Sequence, residues 1–318
     1  MKELFEELVQ IIKQATPAGV TPVDMLISII PMSKEAAYRR LRHEISFTFE
    51  EVVKIAKELG VSLDGMIDLP QKNRYNVQMT CVGGEDLIEL YRNSFEEIIA
   101  GLKKLKTCSN PAIYLFTNKL FPFSHTFKYD MIAKFRLYKW TYLRDEVIIP
   151  TKMHEINVPS DIMRVENELF REMMNIPLNY ICIPELMQIY VRDIKQCQKI
   201  NLITDEEVLR LKNETFGLLD DLERDATNGV NQNNVPFNMF LCNSNFDASY
   251  LCFAGDEYKV VSTQLFGAGF YFFKDARIID RMTNWINILI KNSTLVSISG
   301  EKQRLEFFRN QRMIVDAL

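Results

Sequence analysis

The run Phe47-Thr48-Phe49-Glu50-Glu51-Val52 constrains this chain more tightly than any other stretch. The Thr48 hydroxyl can accept a bond from the Glu51 amide while the Glu51 carboxylate reaches back to the Thr48 amide. Phe47 and Val52 flank this box where two apolar side chains pack across a helix start. A helix is thereby fixed to begin at Phe49; it is expected to run to Leu59 and stop at Gly60, which suits a left-handed cap. The residues before it are punctuated as densely. Leu4, Leu8, Ile11 and Ile12 carry helical spacing over about 2–15, and Thr16-Pro17-Ala18-Gly19 ends that helix. Thr21-Pro22, with Asp24 following, opens a second over about 22–30; Pro31 stops it, and Ser33 caps a third over about 34–42. Ser62 offers a cap for a last short helix to about Leu69, before Pro70 and Gln71-Lys72-Asn73. Residues 1–70 are thus expected to be a unit of short helices.

After a linker over 71–84, longer helices are expected. Leu87, Ile88, Tyr91, Phe95, Ile98, Ile99, Leu102 and Leu105 form one apolar stripe, and Phe127, Met131, Phe135, Tyr138 and Tyr142 another. Helices are also expected over 160–175, 185–199 and 205–226, the last opened by a second capping box, Thr204 to Glu207, between Ile203 and Val208. Asn228-Gly229-Val230-Asn231-Gln232-Asn233-Asn234 breaks the pattern. The period then shifts towards two, predicting strands over 237–243, 248–254, 258–264 and 268–274, with a hairpin turn at Gly255-Asp256. Two helices, about 276–291 and 301–313, follow. The expected fold is mainly α with a C-terminal α/β part: a helical unit at 1–70, a helical domain at 85–227 and an α/β unit at 228–318. Three units suit 318 residues at roughly 100–200 per domain.

Composition removes other classes. With 47% apolar and 25% charged residues, 12 Gly and 11 Pro, the chain is neither collagen-like nor low-complexity. No apolar run approaches the ~18–20 residues that span a bilayer, and MKELFEELVQ carries acids where an export signal needs a basic end. A soluble, cytoplasmic protein with no membrane partner is expected. The six cysteines, Cys81, Cys108, Cys182, Cys197, Cys242 and Cys252, include no CxxC pair, and the three histidines do not cluster. Reduced thiols and no metal site are expected.

The chemistry concentrates in Met32 to Ile67, MSKEAAYRRLRHEISFTFEEVVKIAKELGVSLDGMI. Ser33 opens the third helix, Ala37 takes a small core position, and Arg42-His43 fall at its exit. Phe49, Val52, Val53, Ile55 and Ala56 follow in the fourth, and Leu59-Gly60-Val61-Ser62-Leu63-Asp64 closes the segment. In these positions the sequence resembles the lambda-repressor-like (XRE-type) helix-turn-helix family, over about the first 70 residues. The resemblance implies that helix 33–42 enters the major groove of double-stranded DNA, with Ser33, Lys34, Glu35 and Tyr38 reading base edges and Thr21, Arg39, Arg42 and His43 holding phosphates. Residues 33–43 carry Lys34, Arg39, Arg40 and Arg42 against Glu35, a net +3, within a chain of net −4. The whole chain is similar in organisation to bacterial one-component transcriptional regulators, in which the distal part senses a small-molecule effector or makes a homodimer. A second reading stays open. Pro31 stands in the turn where the family usually has glycine, and Val23 replaces a polar residue, as in an interaction module that no longer reads DNA. Arg40 also occupies a usually apolar position, with Leu41 available for the buried contact.

Nothing in the remaining 240 residues points to an enzyme or to a cofactor. Gly267-Ala268-Gly269 leads into Phe270-Tyr271-Phe272-Phe273 without the third glycine of a dinucleotide loop, and no GxSxG, HExxH or P-loop occurs. His125 and His154 read as structural or surface histidines, and the aromatic density from Phe116 to Tyr142 as helix core. Asp220, Asp221, Glu223 and Asp225 read as a solvated helix face. Ser297-Ile298-Ser299-Gly300-Glu301, with Arg304, reads as a helix cap in preference to an anion site.

Overall fold

A computed structural model describes residues 2–17, 19–61, 87–120, 124–142, 151–244, 248–264, 270–273 and 275–318. The chain divides into two compact units, Met1–Gln78 and Met79–Leu318. The expected linker at 71–84, the short helix after Ser62, Cys81 and Gly267-Ala268-Gly269 lie outside the described residues.

The first unit contains α1 (Lys2–Ala15), α2 (Pro22–Ile29), α3 (Lys34–Leu41) and α4 (Phe49–Glu58). Their apolar stripes meet in one core of Leu8, Val9, Ile12, Leu26, Ala37 and Ile55, with Phe47 and Val52 packed in the same cluster. Both halves of the α4 capping box are made. The start of α4 is therefore held by hydrogen bonds and by packing together, as the flanking residues dictate. Phe49 and Val53 point to solvent; Phe49 is 78% exposed.

The second unit is a sheet with helices on both faces. Its elements are α5 (Leu87–Leu105), β1 (Ala112–Thr117), α6 (Asp130–Tyr142), α7 (Ser160–Met173), β2 (Leu178–Cys182), α8 (Gln188–Lys199), α9 (Asp205–Asn228), β3 (Phe237–Cys242), β4 (Tyr250–Ala254), β5 (Lys259–Gln264), β6 (Phe270–Phe273), α10 (Ala276–Lys291), β7 (Ser293–Leu295) and α11 (Glu301–Asp316). Seven strands run in the order β6-β5-β4-β1-β2-β3-β7. β1, β2 and β3 are parallel, with Ile113, Leu178 and Phe237 in register, and the other pairings are antiparallel. Alternate residues serve opposite faces. Ile113, Leu115, Tyr180 and Met239 join the core with Phe95, Val165, Leu218 and Phe308, whereas Phe116, Ile181, Cys242 and Val261 join Ile286 and Leu289 of α10.

This sheet corrects the expected boundary at 228. The segment 85–227, read as helical, supplies β1 and β2, the middle of the sheet completed by 228–318, so the two segments form one unit. AIYLFT and LNYIC are covered on both faces and carry apolar runs instead of alternation, which leaves no period-two signal to read. Phe116 accordingly sits in a strand and not in helix core.

The acidic run on α9 is also corrected. Asp221 and Asp225 are buried, not solvated. Asp225 binds His125 Nε2 at 2.8 Å and Arg224, while Asp221 accepts from Lys128 and Arg224 at 2.6 Å and from Tyr129 at 2.7 Å. Burying a carboxylate is tolerable only with such partners. Near α11, the Ser297 hydroxyl accepts from the Met239 amide, and Arg304 donates to the Val296 carbonyl at 2.7 Å, so both serve the fold. The helix starts from Gly300 with no side-chain cap, correcting the capping expected there. His154 is half-exposed. Cys108, Cys182, Cys197, Cys242 and Cys252 are free thiols, and burial pushes Cys182 and Cys252 well above the ordinary thiol range. No helix among the described residues is long and apolar enough to cross a membrane, and no group of His, Cys, Asp or Glu among them is placed to hold a metal.

Candidate nucleic-acid interface

Local sequence rules set the geometry at α2 and α3. Thr21 caps α2: its hydroxyl accepts from the Asp24 amide at 3.1 Å and donates to the Asp24 carboxylate at 2.7 Å. Pro31 follows the last turn and cannot continue a helix, and the Ser33 hydroxyl then starts α3 by accepting from the Ala36 amide at 3.2 Å. Ala37 is fully buried, and Leu41 packs against the same core. With Ala37 inward, the 3.6-residue period turns Lys34, Glu35, Tyr38, Arg39 and Arg42 outward.

These five, with Glu44, line a shallow hollow of about 720 Å³ on the surface of the first unit. Tyr38 is 49% exposed, and the Arg42 guanidinium lies over its ring, 5.7 Å from the centroid. Arg42 is thus tethered to the Tyr38 ring by a cation–π contact. Of the remaining expected contacts, Thr21 and Ser33 stand at the starts of α2 and α3, where their hydroxyls are engaged as caps. His43 follows α3 in a left-handed conformation, φ 64°, and is exposed. The expected base readers and phosphate holders therefore form one donor-rich face, Lys34-Glu35-Tyr38-Arg39-Arg42, flanked by two capping hydroxyls and a turn histidine.

Three acidic partners went unread in the sequence. Asp24 binds Lys34 Nζ at 3.1 Å, Glu44 lies 3.5 Å from Arg39 Nε, and Glu51 binds Arg40 Nη2 at 2.9 Å. The Thr21 hydroxyl and then the Lys34 ammonium hold the Asp24 carboxyl below its ordinary value. The first two pairs are about half exposed or more and screened by solvent, so an incoming anion displaces them at little cost. Arg40 differs: its side chain is 14% exposed and folded back on α4. Arg40 therefore does not line the hollow, whose cationic side chains are Lys34, Arg39 and Arg42. The only sequence signal for this was Arg40 standing where an apolar residue is usual.

Chemically, this face presents an ammonium, two guanidinium forks and a phenol beside one carboxylate acceptor, a set able to bond phosphates and the edges of bases. In comparisons with known proteins, no family model, no curated protein and no solved structure matches this chain.

Proposed function

We propose that the chain is a sequence-specific regulator of transcription that binds double-stranded DNA through α3, in the manner of a helix-turn-helix protein. The observation that carries this reading is the outward face of α3: Lys34, Tyr38, Arg39 and Arg42 converge on one hollow while Ala37 and the Arg40–Glu51 pair fix the helix from behind. An eight-residue helix capped by Ser33 presents its first turn to a major groove, where Lys34 reaches guanine acceptors, Glu35 accepts from cytosine and Tyr38 meets a base or the backbone. Thr21, Arg39, Arg42 and His43 hold phosphates on either side. The sheet unit supplies ligand sensing or dimerisation, without catalysis and without a cofactor.

The test is affinity for a selected duplex across a salt titration. Arg42→Ala should lower affinity for all sequences and flatten the salt slope by about one, while Lys34→Ala should cost about 1–3 kcal/mol and relax preference at one position. Binding as tight as the parent's in both variants contradicts the assignment.

The intramolecular ion pairs of Lys34, Arg39 and Arg40 favour one alternative, an interaction module that does not read DNA. That reading predicts no salt-dependent retention on duplex DNA.

A further inference from the structure

The last helix carries a second, outward face, on which, of Lys302, Glu306, Arg309 and Asp316, Asp316 alone has an ion-pair partner among the described residues. α11 buries Arg304, Phe307, Phe308, Gln311 and Val315. The opposite stripe, Lys302, Leu305, Glu306, Arg309, Met313 and Asp316, borders a groove of about 750 Å³ with Phe216 of α9. Two of its large apolar side chains stand in solvent: Leu305 is 54% exposed and Met313 66%. Hydration of such side chains is unfavourable, and covering both with one partner surface would relieve it.

The order of the stripe identifies the contact. Arg309 is its midpoint. Leu305 and Met313 lie four residues to either side, and Lys302 and Asp316 lie seven to either side with opposite charge. Read from either end, the stripe meets its own complement when laid antiparallel. The whole pattern spans about 21 Å of helix at 1.5 Å per residue, within reach of a single helix crossing.

We propose that this face binds a second copy of the chain, with two α11 helices antiparallel about a two-fold axis near Arg309. In that arrangement Lys302 lies near the partner's Asp316 at each end, Leu305 and the partner's Met313 cover one another's flanks, and each Arg309 reaches the partner's Glu306. Asp316 is already bound to Lys212 at 3.0 Å, yet it is 76% exposed and open to a second cation. Antiparallel helix dipoles add to the attraction. A lipid surface would select a one-sided basic face, and an unrelated protein would impose no such symmetry on the stripe. The argument is read from α11 alone and stands whether or not α3 binds DNA.

The test is sedimentation equilibrium of the full chain, without DNA, from about 1 to 200 μM. A contact this small belongs to the weak interface class, so a reversible dimer with a dissociation constant of about 1–100 μM is expected. Lys302→Asp and Asp316→Lys should each weaken it about tenfold by setting like charges against one another, and the double variant should restore it to within about threefold. Leu305→Ser with Met313→Ser should leave a folded monomer, with circular dichroism unchanged. A parent that stays monomeric at 200 μM overturns the proposal. So does a dimer insensitive to these substitutions, or a double charge swap that restores nothing. Because no nucleic acid is present, failure here leaves the DNA reading intact, and failure of DNA binding leaves this result intact.

Discussion

Arg40 and Glu51 grip each other through two hydrogen bonds, Nε to Oε2 at 3.1 Å and Nη2 to Oε1 at 2.9 Å. The same Oε2 accepts from the Thr48 amide at 2.8 Å. One carboxylate therefore closes the first turn of α4 and fastens the back of α3, so a local helix-start signal also sets the orientation of the candidate reading helix.

This double use separates two substitutions. Glu51→Ala removes the carboxylate half of the capping box and the ion pair and should cost about 2 kcal/mol, whereas Arg40→Ala leaves the whole capping box and should cost less than half of that. Burial by itself would raise the Glu51 carboxyl, but the Thr48 amide and the Arg40 guanidinium outweigh it and hold the group below its ordinary value near 4.5. A carboxylate depressed in the fold stabilises it fully above that value, and the contribution is lost as pH falls below it. Protection of the amides in the first turn of α4, measured against their intrinsic exchange rates, should fall between pH 5 and pH 3 in the parent and show no such added step in Glu51→Gln.

In the second unit, Glu166 of α7 ties three helices together. It accepts from the Tyr91 hydroxyl of α5 and from Arg136 Nη2 of α6 at 2.7 Å, while Arg136 Nε donates to Tyr91 at 2.8 Å. Burial drives the Tyr91 hydroxyl well above its usual range, so it stays neutral and serves as a donor. Glu166→Ala strands a buried guanidinium and should cost about 3–5 kcal/mol, while Glu166→Leu combined with Arg136→Met should recover most of it. Urea denaturation of the single and double variants decides this; a double variant no better than the single contradicts it.

Along α9, neighbouring carboxylates should behave oppositely. Asp225, buried against His125, should cost about 3 kcal/mol on replacement by alanine, and Asp220, 67% exposed beside Arg312, less than about 0.5 kcal/mol. Asp221 is raised by burial but lowered further by Lys128, Tyr129 and Arg224, ending below its ordinary value of 3.8. Its contribution is present above that value and fades as pH falls beneath it, so Asp221→Asn should lessen the loss of stability between pH 5 and pH 2.5. Equal acid sensitivity in parent and variant would falsify this.

How much of this was legible follows from where the information lies in the chain. Both capping boxes and the strands β3 to β6 are written in contiguous residues and occur within one or two positions of where they are expected, whereas the three-residue β7 carries no such signal. The middle strands were not legible, because AIYLFT and LNYIC carry short apolar runs without alternation and only their neighbours make them a sheet. The outward face of α3 could be read because Ala37 fixes its phase. The partners of its cations could not: Asp24 and Glu51 come from other helices, and nothing local distinguishes a carboxylate that will meet an arginine from one facing water. Asp221 and Asp225 failed for the same reason, their partners His125, Lys128 and Tyr129 lying nearly a hundred residues away.

Selection of bound sequences from a random duplex library, using the full chain, tests the central claim most directly. The account predicts enrichment of one motif, repeated as two-fold-related half-sites about one helical turn apart, with retention that falls steeply as salt rises. A library that returns unenriched after successive rounds, with retention indifferent to salt, would contradict it.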